Sequence, residues 1–201
     1  RTTLSRSINA FVAQTPSVVV IDPRTATVDT NREAKEILLE LPKISTGKFD
    51  EQWLERWQKA GKAAESEITL NWSEQLFARE VTKLLPNDSA LFIGSSRPVR
   101  DIEAFAAPRS GLKVFANRGL AGIDGNISTA QGIATQIERT YSILGDLTFL
   151  HDLSALVNSS AHSHTVYIVD NNGGGIFSTL PQAGVDGFDK IFGTPHNLNI
   201  E

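Results

Sequence analysis

Gly145-Asp146 and Asn171-Asn172-Gly173-Gly174-Gly175-Ile176-Phe177 are the stretches of this chain whose residue types could do chemistry together. An aspartate carboxylate and an amide oxygen are hard ligands. Mg²⁺ takes such oxygens while keeping phosphate oxygens and water in the rest of its shell. Successive glycines let the backbone come close to a diphosphate, and amides at the start of a helix would then face it. By residue type these stretches read as a diphosphate and Mg²⁺ site. The plainer alternative is a glycine-rich turn with asparagines in left-handed conformations.

Such groups work only if the fold brings them to one place, and the pattern of elements predicts that it does. Between residues 71 and 169, strand-like and helix-like runs alternate. Asn71-Trp72-Ser73 caps a helix that reaches Leu85, where Pro86-Asn87-Asp88 stops it. Strands are predicted at Ser89 to Ile93, Lys113 to Ala116, Tyr141 to Leu144 and Thr165 to Val169. Helices are predicted at Arg100 to Phe105, Ile127 to Ile137 and Phe149 to Val157. Alternation of this kind implies an α/β fold, three-layer α/β/α, with a mostly parallel sheet. Each predicted strand ends in a polar segment: Gly94-Ser95-Ser96, Asn117-Arg118-Gly119, Gly145-Asp146 and Asn171-Asn172-Gly173. Open parallel sheets bind ligands at those ends.

The first part of the chain reads as part of a second α/β domain. Arg1 to Ala13 has helical spacing, Ser17 to Ile21 is a buried strand closed by Asp22-Pro23, and Ala26 to Asp29 is a short strand. Asn31 to Leu41 reads as helical. Lys43 to Lys48 is a polar linker. Phe49 to Ile68 is a long amphipathic helix in which Trp53 and Trp57 form a core stripe. The expected division is 1–70 and 71–201, with the second domain incomplete at its end.

Composition narrows the function classes. Of 201 residues, 40% are hydrophobic and 21% charged, which is ordinary for a globular protein. A net charge of −4 offers no basic surface for nucleic acid. No apolar run approaches the length of a membrane span. The opening residues do not read as a secretory leader, and a cytoplasmic location is expected. Cysteine is absent, which removes disulfides and thiolate metal sites. Methionine is absent too, and the chain reads as part of a longer protein.

The order and wording of the motifs resemble the thiamine-diphosphate-dependent enzymes. Within them the chain is similar to the 2-succinyl-5-enolpyruvyl-6-hydroxy-3-cyclohexene-1-carboxylate synthase family of menaquinone (vitamin K2) biosynthesis. The resemblance is carried by Gly145 to Asp152, Asn172 to Gln182, Ser95-Ser96-Arg97-Pro98-Val99-Arg100-Asp101 and Asn117-Arg118-Gly119-Leu120-Ala121-Gly122-Ile123-Asp124-Gly125. It implies a carboxyl-terminal portion of a transferase that decarboxylates 2-oxoglutarate and adds the resulting carbanion to isochorismate.

The resemblance also implies roles. Asp146, Asn171 and the carbonyl of Gly173 would hold Mg²⁺ or Mn²⁺. Gly145, Leu147, Gly174 and Gly175 would lie along the diphosphate, and Ile123 would support the bent cofactor. Ser96, Arg100 and Arg118 would meet substrate carboxylates, to which an arginine fork pairs in bidentate fashion. Ile176, Phe177 and Leu180 would wall the pocket, and Arg6 is a further carboxylate contact. The family's activating glutamate belongs to an amino-terminal domain, and no glutamate here takes that role. A homodimer or homotetramer is implied.

The chain departs from the family in reading Asp170-Asn171-Asn172, so either Asn171 or Asn172 is the metal asparagine. The interval from Asp146 to Asn171 is also short. Two other readings stay open: another thiamine-diphosphate decarboxylase or carboligase, or a catalytically silent cofactor-binding module. His162 and His164 alternate like ligands on a strand face, although surface histidines before a strand are commoner. His151 reads as structural.

Overall fold

Apolar runs of four to six residues form the central sheet, whose strand order fixes which loops become neighbours. A computed structural model of the chain describes residues 4–24, 33–43, 47, 50–68, 71–158 and 162–200. It divides into two compact units, Arg1–Leu70 and Asn71–Glu201.

In the first unit, helix α1 (Arg6–Ala13) is capped by Ser5, whose hydroxyl accepts from the Ile8 amide at 3.3 Å. Strand β1 (Val18–Ile21) pairs in parallel with β2 (Ala34–Leu38). Helix α2 (Glu51–Glu67) starts at Asp50, whose carboxylate accepts from the Trp53 amide at 3.0 Å. The expected helix over Asn31 to Leu41 is instead a strand at its centre. Parallel pairing with Val18–Ile21 satisfies that backbone, and tertiary pairing overrides local propensity. The strand expected at Ala26 to Asp29 lies outside the described residues. Trp53 and Trp57 are no core stripe within this unit: both are more than half exposed, their rings 6.1 Å apart.

The second unit holds the core. Helix α3 (Glu74–Leu84) is capped by Ser73 and leads to β3 (Ser89–Ile93). Then follow α4 (Arg97–Phe105), β4 (Leu112–Phe115), α5 (Asn126–Ala134), β5 (Thr140–Gly145), α6 (Asp146–His151) and β6 (His164–Val169). The four strands are parallel in the order β4-β3-β5-β6. Side chains alternate across the sheet. Leu91, Ile93 and Ile143 pack with Val81 and Leu85 of α3 and its end, beside Ile102 of α4. Phe92 and Leu144 pack on the other face with Ile127 and Ala130 of α5 and Ala155. Helices therefore cover both faces, which makes three layers. Burying Phe92 completely is worth about 1.5–3 kcal/mol relative to leaving it in water.

The predicted helix over Phe149 to Val157 is really two pieces. Helix α6 starts earlier, at Asp146, and a 3₁₀ turn covers Leu153–Asn158. Asp152 sits at the break. Its carboxylate accepts the Ile127 amide at 2.7 Å and the Ser128 amide at 3.2 Å. Asp152 thereby caps the start of α5, which has no capping side chain of its own.

At the start of β6, His164 Nε2 lies 2.9 Å from the Ser142 hydroxyl, and burial pushes its pKa down. The unfolded chain therefore takes up the proton more readily. This contribution is complete above the free-imidazole value near 6.5 and is lost as pH falls through the depressed folded value. The melting temperature should fall on acidification below 6.5, and more steeply than in His164→Gln, which cannot titrate. Parallel pH profiles for the two proteins would remove His164 as the cause.

Candidate active site

Asp146 is the first helical residue after β5, where the chain passes from strand to helix without a loop. It is 2% exposed. One carboxylate oxygen accepts from the Leu147 amide at 2.7 Å. The other accepts from the Gly173 amide at 2.6 Å and lies 3.1 Å from His196 Nε2. The bond to Gly173 joins the ends of the adjacent strands β5 and β6, so the aspartate and the glycine run meet as their strand-end positions predict.

The two asparagines after β6 part company. Asn172 has a left-handed backbone, φ 61°, and its amide donates to Asp170 at 2.8 Å. Its side chain pairs with Asn197, accepting the Asn197 amide at 2.8 Å and donating to Asn197 Oδ1 at 3.1 Å. Asn171 instead lines the same cleft as Asp146. Its side-chain amide lies over Gly175, where an added Cβ would come within 2.7 Å of Asn171 Nδ2. The structure thus offers Asn171 to the cleft and ties Asn172 to the segment that follows.

That cleft, open to solvent, is lined by Ser96, Ile123, Leu147, Ile176 and Phe177 along with Gly145, Asp146, Asn171, Gly173, Gly174 and Gly175. Gly145 borders it, and a Cβ there would meet no protein atom within 4 Å, so the absent side chain leaves room for a ligand to approach the backbone. Gly173 has φ +138°, and an added Cβ would collide with the carbonyl oxygen of Gly193. On the outer side the ring of Phe177 meets Phe192 edge-on at 6.0 Å, and Phe192 stacks on Phe188 at 5.3 Å.

Other predicted residues stand elsewhere. Leu180 follows the 3₁₀ turn Gly175–Thr179 and is not among the cleft-lining residues. Arg100 donates to the Ser96 carbonyl at 2.6 Å, where Ser96 has φ 73°. Arg6 belongs to the first unit. Arg118 is half-buried and makes no hydrogen bond or ion pair with any described residue. The two carboxylates that could have tied it down are engaged elsewhere. Asp124 meets His151 at 3.0 Å, and Asp101 meets Arg97 at 3.3 Å. The loop between Arg118 and α5 is anchored by buried Asn126, which donates to the carbonyls of Gly122 and Asp124 at 3.3 and 3.0 Å. His162 is exposed and His164 serves Ser142, so these two do not converge on an ion.

Sequence reasoning missed His196. Its ring is mostly buried, within 3.1 Å of Asp146 and 3.5 Å of Asp170. Among the described residues, Asp146, Asp170 and His196 form the one group of carboxylates and imidazole close enough to share a metal. Nothing local marks His196, because its partner lies 50 positions away. The donor set of Asp146, Asn171 and Gly173 suits a hard divalent cation, and the glycine-bordered cleft suits a diphosphate beside it.

Comparison with known proteins agrees with the motifs. No family model matches the chain. A 2-succinyl-5-enolpyruvyl-6-hydroxy-3-cyclohexene-1-carboxylate synthase of Thermobifida fusca is 37% identical over 98% of the chain. The protein of the same name from Lysinibacillus sphaericus is 38% identical over 98%, and that from Geobacillus kaustophilus is 40% identical over 79%. The chain spans 38% of the length of the first two relatives. No described helix is long and apolar enough to cross a membrane.

Gly173→Ala should disrupt this corner. The new methyl group would strike the Gly193 carbonyl at a φ that L-residues rarely adopt, and strain of that kind costs about 1–3 kcal/mol. A lowered melting temperature is expected. An unchanged one would mean that the junction of the glycine run with the following segment is not held as described.

Proposed function

We propose that this chain, homologous over nearly its whole length to the 2-succinyl-5-enolpyruvyl-6-hydroxy-3-cyclohexene-1-carboxylate synthases, is the cofactor-binding part of such an enzyme. The observation that carries the reading is the meeting of Asp146, Asn171 and Gly173 at one glycine-bordered cleft. The enzyme would join 2-oxoglutarate to isochorismate, with loss of CO₂, in menaquinone biosynthesis. One carbon–carbon bond breaks and one forms, without net oxidation or reduction. It would work as a homodimer or homotetramer in the cytoplasm.

Asp146, Asn171 and the Gly173 carbonyl would hold Mg²⁺ or Mn²⁺. Gly145, Leu147, Gly174 and Gly175 would lie along the diphosphate, although the Leu147 amide is given to Asp146 and the Gly174 amide to the Gly193 carbonyl at 2.6 Å. Bound thiamine diphosphate would supply the electron sink that lets a 2-oxo acid lose CO₂ and react as a nucleophile. This chain's residues bind, orient and exclude water. Ile123 lines the cleft and offers an apolar support. Ile176 and Phe177 offer an apolar wall, which reduces the water available to quench a reactive carbanion. Ser96, Arg100 and Arg118 are the proposed partners of substrate carboxylates. Arg118 is the strongest of these, since it has no carboxylate partner among the described residues. Two dicarboxylate-like substrates call for such cations, whereas a pyruvate decarboxylase does not.

The full-length protein, supplied with Mg²⁺ and thiamine diphosphate, should consume 2-oxoglutarate and isochorismate in equal amounts. Release of CO₂ at the same rate without isochorismate would make it a plain decarboxylase. Arg118→Lys keeps the charge and loses the bidentate fork. A charge-assisted hydrogen bond contributes about 1.5–3 kcal/mol, so kcat/KM for one substrate should fall roughly ten- to a hundredfold with cofactor affinity unchanged. Unchanged efficiency for both substrates would remove Arg118 from the site.

A further inference from the structure

Asn171 can serve a cation only through its oxygen. Its terminal amide carries one acceptor atom and one donor group on a flat unit, and a half-turn about the last torsion exchanges them. An asparagine without a fixed partner would present its NH₂ group, useless to Mg²⁺, for part of the time. In this structure the amide has a partner. Asn171 Nδ2 donates to Glu74 Oε1 at 2.6 Å, across 97 positions of sequence. A carboxylate has no hydrogen to give, so only the nitrogen can face it. The oxygen is then the atom that remains for a ligand.

Glu74 is itself held in place. It is the first residue of α3, directly after the capping serine, so its backbone is fixed by the helix start. Its second oxygen accepts from Arg97 Nε at 3.0 Å, and Arg97 also lies 3.3 Å from Asp101, which is 6% exposed. Burial holds the Asp101 carboxyl above its usual range; Arg97 opposes this and the neighbouring Glu74 adds to it. The oxygens of Glu74 meet Asn171 on one side and Arg97 on the other, with the Asp101 carboxyl also beside them. Glu74, Arg97 and Asn171 line one recess beneath the sheet edge, while Arg97 and Asn171 also border the cleft that contains Asp146.

We propose that Glu74 is a positioning residue for the metal: by accepting from Nδ2 it locks the Asn171 amide with its oxygen toward the cation. This rests on the reading that Asn171 ligates the ion. Glu74 itself touches neither metal nor substrate. Partners that orient a ligand in this way commonly change metal affinity ten- to a hundredfold.

The test is a double-mutant cycle in the full-length protein, reading the Mg²⁺ midpoint for thiamine-diphosphate binding by calorimetry and the melting temperature without Mg²⁺. Glu74→Ala should raise the Mg²⁺ midpoint roughly ten- to a hundredfold. Glu74→Gln keeps the shape but has one acceptor oxygen for two donors, Asn171 Nδ2 and Arg97 Nε, so it too should raise the midpoint, by less than alanine, which also covers the case in which the alanine variant fails to fold. The deciding arm is Asn171→Asp. Aspartate has two equivalent oxygens and needs no orienting, so in that background Glu74→Ala should cost nothing or improve binding by removing a like charge. Equal losses in both backgrounds, or no loss with Asn171 present, would overturn the proposal and leave Glu74 as a helix-start residue. If cofactor binding by the unaltered protein needs no Mg²⁺, or if Asp146→Asn leaves the midpoint unchanged, the metal reading itself fails and this inference with it.

Discussion

A carboxylate buried as deeply as that of Asp146 must be satisfied by donors, because stripping its water without replacing it costs several kcal/mol. The site's geometry follows from how this is done. The Leu147 amide comes from the aspartate's own helix, the Gly173 amide from the end of the neighbouring strand, and the His196 ring from the segment beyond. Three pieces of chain that are distant in sequence are pinned to one residue. Gly173 has a positive φ, and close packing against Gly193 forbids a side chain there. A turn that looks merely flexible in sequence is therefore tightly specified.

The same carboxylate is the proposed metal ligand, which makes His196 more than a neighbour. With the ring against Asp146 and Asp170, the observed group of these three residues and the proposed metal set have Asp146 in common. One is all oxygen, with Asn171 and the Gly173 carbonyl. The other includes a nitrogen. Hard Mg²⁺ belongs to the first, since imidazole suits softer transition metals. Asn171, bonded to Glu74, lines the cleft, while Asn172, bonded to Asn197, does not.

Much of the parallel sheet was legible because its strands are short runs rich in apolar residues that end in polar and glycine residues, and the central two, β3 and β5, are largely buried. Strand ends gathered Asp146 and Asn171 at one edge without any knowledge of contacts. The failures share a cause. Ala34 to Leu38 becomes a strand through pairing with a distant segment. The helix after Asp146 breaks because Asp152 is needed to cap a different helix. His196 and Glu74 lie 50 and 97 positions from the residues they hold. None of these leaves a local periodicity or a short motif, so spacing rules could not reach them. The choice between Asn171 and Asn172 was open in sequence for a related reason: adjacent residues of the same type differ only in the partners that the fold assigns.

The most direct measurement is the position of a metal. Crystals of the full-length protein grown with thiamine diphosphate and Mn²⁺ would locate the ion by its anomalous scattering. The account predicts a single peak within bonding distance of an Asp146 carboxylate oxygen, Asn171 Oδ1 and the Gly173 carbonyl, with the diphosphate completing the shell. A peak bound by Asp146, Asp170 and His196 instead, or one with Asn171 turned away, would contradict it.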